Sequence, residues 1–217
     1  MEAERITKNQ CKEARQRAVK IIQKVREKLK DKYKFSERLV GSGKWGTMIK
    51  DANGEYDLDY QILLTKNSKE YKNNGLKHST DIKNDFFNAF NDCKLVTETI
   101  ENSTTAITLV NKDNKPFHID FVIIRVLPDN DEIIRRNNKT GTPSINEFTW
   151  NELPDWNPAY DKFKSLTPKQ KEDVIVNYII PAKVIEKEKD ENDFTKLSSA
   201  QVFVREVNNY VYRIENN

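Results

Sequence analysis

The sequence predicts an α+β fold in which helices flank a mixed β-sheet. Three observations support this prediction: apolar residues at helical spacing near the N-terminus, central runs that alternate polar and apolar residues as strands do, and two further helical patterns toward the C-terminus. The chain has 217 residues and contains ten Phe, eight Tyr and three Trp. Because aromatic side chains bury a large area each, we expect a real hydrophobic core in one domain, or in one domain with an appendage.

The first element is a helix over residues 4 to about 30. Its apolar residues recur every three or four positions and would share one helical face: Ala14, Ala18, Ile21, Ile22, Val25 and Leu29. Residues 35–40 then predict a strand. It ends in a tight turn at Gly41-Ser42-Gly43-Lys44-Trp45-Gly46, which holds three of the six glycines.

The central elements are strands around one helix. Residues 56–64 and 117–126 alternate polar and apolar residues and then become wholly apolar, which is typical of strands that enter a core. Residues 94–100 and 104–111 predict two more strands. A helix over 80–93 would turn its apolar residues inward and take Ser79 or Thr80 as its cap; those residues are Ile82, Phe86, Phe87 and Phe90.

The C-terminal part predicts helices after a proline-rich connection. Four of the seven prolines lie within 127–160, so we expect little regular structure there. A helix should start at Thr167-Pro168 and be kinked or ended by Pro181, and a last helix should start near Ser198. We divide the chain into an N-terminal helix that packs on the core (1–34), a core (35–126), a connection (127–166) and a C-terminal helical region (167–217).

Composition and charge exclude several classes of protein. The 37 Lys and Arg nearly balance the 34 Asp and Glu, which removes a simple electrostatic argument for nucleic acid, although the first fifty residues are basic. Cys11 and Cys93 are too isolated for a disulfide framework or a zinc site. We expect neither a membrane span nor a signal peptide, and hence a cytoplasmic protein without a membrane partner.

The glycine cluster fits neither common phosphate-binding motif. The phosphate-loop pattern needs a glycine where Arg38 stands and Ser or Thr where Trp45 stands, and the glycine spacing is wrong for a dinucleotide fingerprint. What remains is a strand followed by a small turn whose backbone amides could approach an anion closely. Without further motifs, this turn does not identify a binding site.

Three aspartates make the turn more informative. Asp57 and Asp59 lie two apart on a predicted strand and so share a face, and Asp120 lies on another strand with the same polar-then-apolar context. Like charges this close are tolerated when they are exposed to water or bridged by a cation, and simple solvation is the alternative for the Asp57–Asp59 pair. Three carboxylates beside an anion-accepting turn indicate a site for Mg²⁺ and a triphosphate.

The order of these motifs resembles a known family. Gly41-Ser42, then Gly46-Thr47, then the acids of EYDLDYQILL and HIDFVII resemble the polymerase-β-like nucleotidyltransferases. More narrowly, they resemble the branch of oligoadenylate synthases, cyclic GMP-AMP synthase and bacterial cyclic-oligonucleotide synthases. The resemblance covers residues 35–126 and implies a nucleotidyltransferase-type sheet, with a short helix between the two glycine motifs and a reduced helical C-terminal region.

The resemblance also implies roles for individual residues. Asp57, Asp59 and Asp120 would be catalytic and bind Mg²⁺, with Mn²⁺ as a second candidate, and Asp120 would also help to deprotonate the attacking hydroxyl. His118 would orient Asp120 or contact nucleotide, or would simply be satisfied by a neighbour. The residues expected to bind the nucleotide are Gly41, Ser42, Gly43, Lys44, Thr47 and Lys183; for Lys44 an exposed loop lysine is the alternative.

The resulting hypothesis is a nucleotidyltransferase that uses ATP or GTP and releases pyrophosphate, with a cyclic or linear oligonucleotide signal in antiviral defence as its product. Two alternatives stay open. One is a toxin-like transferase that modifies tRNA or a partner protein, and the other is a non-catalytic nucleotide- or RNA-binding module. The sequence leaves the acceptor, whether nucleotide, RNA or protein, and the oligomeric state undetermined.

Overall fold

Strands and helices follow one another irregularly along the chain, and the predicted α+β class is confirmed. The computed structural model describes residues 4–51, 53–65, 79–111, 116–127, 129–136, 147–190 and 192–216. In chain order their elements are β1 (Glu4–Arg5), α1 (Lys12–Leu29), β2 (Phe35–Val40), α2 (Gly41–Trp45), β3 (Ile49–Lys50), β4 (Tyr56–Leu64), α3 (Ser79–Cys93), β5 (Glu98–Asn102), β6 (Ala106–Asn111), β7 (Phe117–Arg125), β8 (Glu132–Arg136), β9 (Phe148–Glu152), α4 (Asn157–Ser165), α5 (Pro168–Val174), a π-helical turn (Ile175–Ile179), α6 (Ile180–Glu188) and α7 (Ser199–Glu215).

The chain folds as two compact units. The sheet unit comprises Cys11–Val40 and Asp57–Leu153. The helical unit comprises Met1–Gln10, Gly41–Tyr56 and Pro154–Asn217. Within the described residues no helix is both long and apolar enough to cross a lipid bilayer. Cys11 is buried and Cys93 is half-buried, and each keeps its thiol, as the sequence predicts.

The sheet unit is built on seven of the described strands. Their hydrogen-bonded order is β2-β4-β7-β6-β5, with β8 added to β7 and β9 added to β8. The pairs β2–β4, β5–β6, β6–β7, β7–β8 and β8–β9 are antiparallel. The predicted strand over 94–100 starts later, at Glu98, because a turn at residues 94–97 precedes it.

The two strands that carry the predicted acids have two different faces. In β4 every second residue from Tyr56 to Leu64 is buried, and Asp57 and Asp59 lie on the opposite face. In β7 the same alternation buries Phe117, Ile119 and Phe121 and leaves His118 and Asp120 on the other face. Because side chains alternate along a strand, burying the apolar set fixes the direction of the acids.

Helices α1 and α3 pack on the apolar face of this sheet. All six residues predicted to form the inner face of α1 are buried. On α3, Phe90 stacks on Phe121 of β7 with ring centroids 4.3 Å apart. The predicted start of α1 at residue 4 is wrong: Thr7 and Gln10 close a local turn through mutual side-chain and backbone hydrogen bonds, and the helix begins at Lys12.

The residues of α3 that are buried differ from the predicted ones. Phe87 is only half-buried, whereas Lys83 is fully buried. The Lys83 ammonium donates a hydrogen bond to the Thr105 carbonyl (2.6 Å) and lies 5.3 Å from the centre of the Phe148 ring. Desolvation, followed by the charge of Arg136, lowers the pKa of Lys83 from 10.5 to about 7.

The prediction that regular structure would not persist through 127–160 is wrong. Strands β8 and β9 form an antiparallel pair there, because Ile134 and Phe148 supply buried positions for the sheet. Two of the prolines do not interrupt a strand or helix. Pro154 follows β9, and Pro158 lies in the first turn of α4, where no amide donor is needed. Pro128 and Pro143 lie outside the described residues.

The helical unit is organised by well-capped helices. Thr167 caps α5 and Ser198 caps α7, each through a capping box with the glutamine three residues later. Pro181 does not end its helix; α5 widens into the π-helical turn and continues as α6, with the proline in the first turn. The apolar core of this unit consists of Phe163, Leu166, Val174, Ile175, Ile179, Phe203, Val207, Tyr210 and Val211.

A buried ion pair joins α1 to the start of β5. Arg17 donates to both oxygens of Glu98, at 2.5 and 2.6 Å, and the Leu95 amide also donates to Glu98. The Glu98 side chain is 1% exposed. We expect Arg17→Met to lower the free energy of unfolding by about 3–5 kcal/mol, because it leaves a buried carboxylate without its counter-charge.

The matched double variant Arg17→Met/Glu98→Met should be clearly more stable than the Arg17→Met protein, because both charges are then removed together. Urea unfolding of the two single variants and the double variant measures this coupling. Strictly additive losses would contradict a coupled buried pair.

Lys83 should make stability depend on pH above neutrality. Between about pH 7 and 10.5 the unfolded chain holds the lysine proton more tightly than the folded chain, so the unfolding free energy rises with pH, by up to about 1.4 kcal/mol per pH unit. Relative to Lys83→Met, the wild type should therefore gain stability from pH 7 to pH 9, as measured by urea unfolding. Lys20→Met, on the exposed face of α1, is the control. Equal pH dependence of wild type and Lys83→Met would contradict this role.

Candidate active site

The glycine-rich segment after β2 forms the short helix α2 rather than the tight turn predicted from the glycines alone. Gly41 begins it with φ 58°, a conformation that glycine adopts without strain, so the chain can leave β2 and enter the helix at once. Gly43 is buried and Lys44 is exposed. The segment ends at Gly46, with φ 73°, and the Thr47 amide donates back to the Ser42 carbonyl (3.1 Å).

Two cations hold the end of this segment by its carbonyl groups. The buried Lys183 of α6 donates from Nζ to the Thr47 carbonyl at 2.9 Å. Arg5 donates from Nε to the Gly46 carbonyl at 3.2 Å and forms a two-pronged ion pair with Glu172. Lys183 thus reaches the end of the segment that the sequence associates with it, through a backbone carbonyl. Phosphate binding by Lys183 stays a prediction.

Trp45 anchors the same segment to the core of the helical unit. Its ring stacks against Tyr160 (5.3 Å) and Phe203 (6.0 Å) and meets the edge of Phe163 (5.5 Å). Lys44 lies 4.7 Å from the centre of the Trp45 ring. This anchor was not predicted from the sequence. Its signal was a tryptophan directly beside glycines, because an exposed flexible turn rarely contains a large apolar ring.

In the sheet unit, Asp57 lies against His118. The distance from His118 Nδ1 to Asp57 Oδ1 is 3.3 Å, and the Asp57 side chain is 60% exposed. The histidine therefore has an acidic neighbour, as one of the sequence alternatives held. Asp59, two residues along β4, is half-buried on the same face.

Asp120 lies half-buried on β7. It accepts a hydrogen bond from the Thr108 hydroxyl at 2.5 Å. Desolvation raises the pKa of Asp120, and the charge of Asp57 raises it further, whereas the Thr108 hydrogen bond and the charges of His118 and Lys83 lower it. The influence of Asp57 on Asp120 means that β4 and β7 bring two of the predicted acids into electrostatic contact.

The predicted site residues divide between the two units. The three aspartates belong to the sheet unit, where Asp57 and Asp120 interact. The predicted nucleotide-binding residues belong to the helical unit: Gly41, Ser42, Gly43, Lys44, Thr47 and Lys183. The chain passes from the sheet unit to the helical unit at Val40–Gly41 and returns at Tyr56–Asp57. The glycine-rich segment and the strand pair of acids therefore each begin where the chain changes unit.

The donor set suits a hard cation. Carboxylate oxygens are the ligands that Mg²⁺ prefers, and Mg²⁺ is usually held by one or two carboxylates together with substrate phosphates. Among the described residues, no group of three or more His, Cys, Asp or Glu side chains is gathered closely enough to hold a metal ion. Asp57 and Asp120 are carboxylates, the ligand type that such an ion prefers.

Two polar residues near these acids were not found from the sequence. Thr108 looks like any β-branched residue of a strand, and only the pairing of β6 with β7 sets it opposite Asp120. Lys83 reads as part of the solvated face of α3, and only its full burial distinguishes it. Neither position carries a local signal, because both contacts depend on distant parts of the chain.

Three solved bacterial structures share this fold. Escherichia coli DncV, in its 3'-deoxy GTP bound form, matches with TM-score 0.57 at 13% identity, over 83% of this chain and 47% of that one. CdnC of Escherichia coli MS115-1, solved with ATP, matches with TM-score 0.54 at 16% identity, over 96% and 62%. The Bradyrhizobium diazoefficiens CD-NTase CdnG, in complex with GTP, matches with TM-score 0.54 at 13% identity, over 73% and 42%.

These matches confirm at the level of the fold the resemblance that the motifs indicate, namely to cyclic GMP-AMP synthase-like nucleotidyltransferases. The chain spans between 42% and 62% of the length of the three structures. No protein-family model and no curated protein matches the sequence.

Lys183 offers a direct test of how the glycine-rich segment is held. We expect Lys183→Met to lower the free energy of unfolding by about 1–3 kcal/mol, because it removes the buried donor to the Thr47 carbonyl. Lys187→Met is the matched control on the same helix: the Lys187 ammonium lies 3.9 Å from Asp51 and the side chain is 39% exposed, so its loss should cost less than about 1 kcal/mol. Equal losses in urea unfolding would contradict the contact.

Proposed function

We propose that the protein is a Mg²⁺-dependent nucleotidyltransferase that transfers a nucleotidyl group from ATP or GTP to a hydroxyl acceptor and releases pyrophosphate. The observation that carries the proposal is the polar face of β4 and β7. Asp57, Asp59 and Asp120 share this face, and the charge of Asp57 raises the pKa of Asp120. A fold that concentrates negative charge on two neighbouring strands is suited to a site that receives cations.

Each acid has a distinct task in this proposal. Asp57 and Asp59 would hold Mg²⁺, or Mn²⁺ in its place, and Asp120 would complete the ligand set. When bound, the ions supply charge neutralisation for the phosphates and a lower pKa for the attacking hydroxyl. Asp120 would accept the proton that leaves this hydroxyl, for which its enclosed position and raised pKa are suitable because a more basic carboxylate takes a proton more readily.

The residues of the helical unit would position the nucleotide. Ser42 and the amides near Gly41 and Gly43 would bind the β- and γ-phosphates, and the absence of side chains at the glycines would let backbone approach them. Lys44 is exposed and would add positive charge for the triphosphate. Thr47 and Lys183 would act chiefly by holding the segment in place, since they are joined by a buried hydrogen bond.

We further propose that the product is a linear or cyclic oligonucleotide signal made in the cytosol for antiviral defence. The support is the fold shared with DncV, CdnC and CdnG, of which DncV and CdnG were solved with guanine nucleotides and CdnC with ATP. A transferase that modifies tRNA or a protein, and a module that binds nucleotide without turnover, are the outcomes against which this proposal is tested.

The three aspartates should be individually essential. We expect Asp57→Asn, Asp59→Asn and Asp120→Asn each to lower the rate of pyrophosphate release by about 100-fold or more, because each removes a charged ligand worth several kcal/mol of transition-state stabilisation. Asp92→Asn, an exposed carboxylate of α3 paired with Lys28, is the matched control and should keep wild-type activity.

The assay uses NTPs labelled at the α-phosphate, which marks the transferred nucleotide, or at the γ-phosphate, which marks the released pyrophosphate. Reactions contain Mg²⁺, with or without added RNA, and are followed by chromatography. Small labelled nucleotides support the proposed product, whereas label on RNA or protein identifies the macromolecular transferase. Binding of NTP without pyrophosphate release under all these conditions, or full activity in Asp57→Asn, would contradict the catalytic proposal.

A further inference from the structure

Thr108 occupies an unusual position in β6. In this strand, which runs from Ala106 to Asn111, Thr108 is half-buried and all the remaining residues are buried. Its Cα partner across the antiparallel β6–β7 pair is Asp120. Residues directly opposite each other in such a pair project to the same face, so the threonine hydroxyl and the aspartate carboxylate lie side by side.

The contact between them is short and directional. Thr108 Oγ1 donates to Asp120 Oδ1 at 2.5 Å, which is within the range of charge-assisted O–H···O⁻ hydrogen bonds. A threonine in a strand is stiff about χ1, because its Cβ is branched, so the hydroxyl cannot easily turn away. The backbones of both residues are held in register by the interstrand ladder. The carboxylate is therefore fixed through one oxygen.

The surroundings explain why such a restraint is needed. Asp120 is partly desolvated and faces the like charge of Asp57, so water solvates the carboxylate poorly and electrostatic repulsion favours its rotation away from the shared face. The Thr108 hydroxyl donates a direct hydrogen bond to Asp120, whereas His118 and Lys83 act on the carboxylate through charge.

We infer that Thr108 is a positioning residue for the proposed nucleotidyl transfer: its hydroxyl holds the Asp120 carboxylate in the orientation needed to receive cation and acceptor. This inference rests on the proposed function. Thr108 itself would touch neither nucleotide nor metal. It acts on one carboxylate oxygen, as groups behind metal ligands commonly do when they set the orientation of those ligands.

The test compares Thr108→Val, which keeps the branched shape without the hydroxyl, with Thr108→Ser, which keeps the hydroxyl without the methyl group. We expect Thr108→Val to lower kcat about 10- to 100-fold and to raise the Mg²⁺ concentration needed for half-maximal rate, with little change in KM for the nucleotide. Thr108→Ser should lie much closer to the wild type. In the Asp120→Asn background, Thr108→Val should lower the residual rate much less than it does alone.

A readout that does not depend on turnover separates this inference from the proposed function. Crystal structures of wild type and Thr108→Val should show one Asp120 rotamer in the first and a different or divided rotamer in the second, while the melting temperatures differ by less than about 4 °C. If the wild type shows no turnover but this rotamer difference is present, the proposed function fails and the positioning role of Thr108 stands.

Three results would overturn the inference. One is an unchanged Asp120 rotamer in Thr108→Val. Another is a Thr108→Ser protein as impaired as Thr108→Val, which would assign the effect to the lost methyl group. The third is an equal effect of Thr108→Val in the wild-type and Asp120→Asn backgrounds, which would place its action elsewhere in the strand.

Discussion

The pleat of β4 and β7 is the constraint on which the sheet unit depends. Each strand buries its apolar residues on one face of the sheet, and this burial drives folding. The same alternation leaves Asp57, Asp59 and Asp120 on the other face. A shift of either strand by one residue would expose the apolar set and bury the acids, so the core fixes the register of the site. Hydrophobic burial on the opposite face of the sheet thus offsets the electrostatic repulsion among the carboxylates.

Much of this arrangement follows from local sequence patterns. Strong periodicity identifies the inner face of α1, the two faces of β4 and β7, and the capped start of α5, because the side chains that decide these features are neighbours in the sequence. The predictions are wrong where contacts between residues far apart in the sequence determine the local structure. The paired strands β8 and β9 arise from Ile134 and Phe148, which have no local signature strong enough to outweigh the surrounding prolines.

The same distinction applies to the candidate site. The three aspartates and the glycine-rich segment are visible in the sequence, since residue type and spacing define them. The Thr108 hydroxyl becomes visible once β6 is paired with β7, and the Lys183 contact with Thr47 joins residues 136 positions apart. The residues that perform the proposed chemistry can be predicted, whereas those that hold them in place depend on tertiary structure.

The π-helical turn at Ile175–Ile179 has a consequence for how this chain can change during evolution. Such a turn accommodates one residue more than an α-helix of the same rise. Deleting one residue there would leave a regular α-helical turn, and the residues that follow would keep nearly the same angular position, because the widened turn absorbs the extra residue. Lys183 would then still face the Thr47 carbonyl. A single-residue deletion in α5, which is regularly α-helical, would instead rotate the residues that follow by about 100°. Single-residue deletions should therefore be tolerated better in the π-helical turn than in the helix before it.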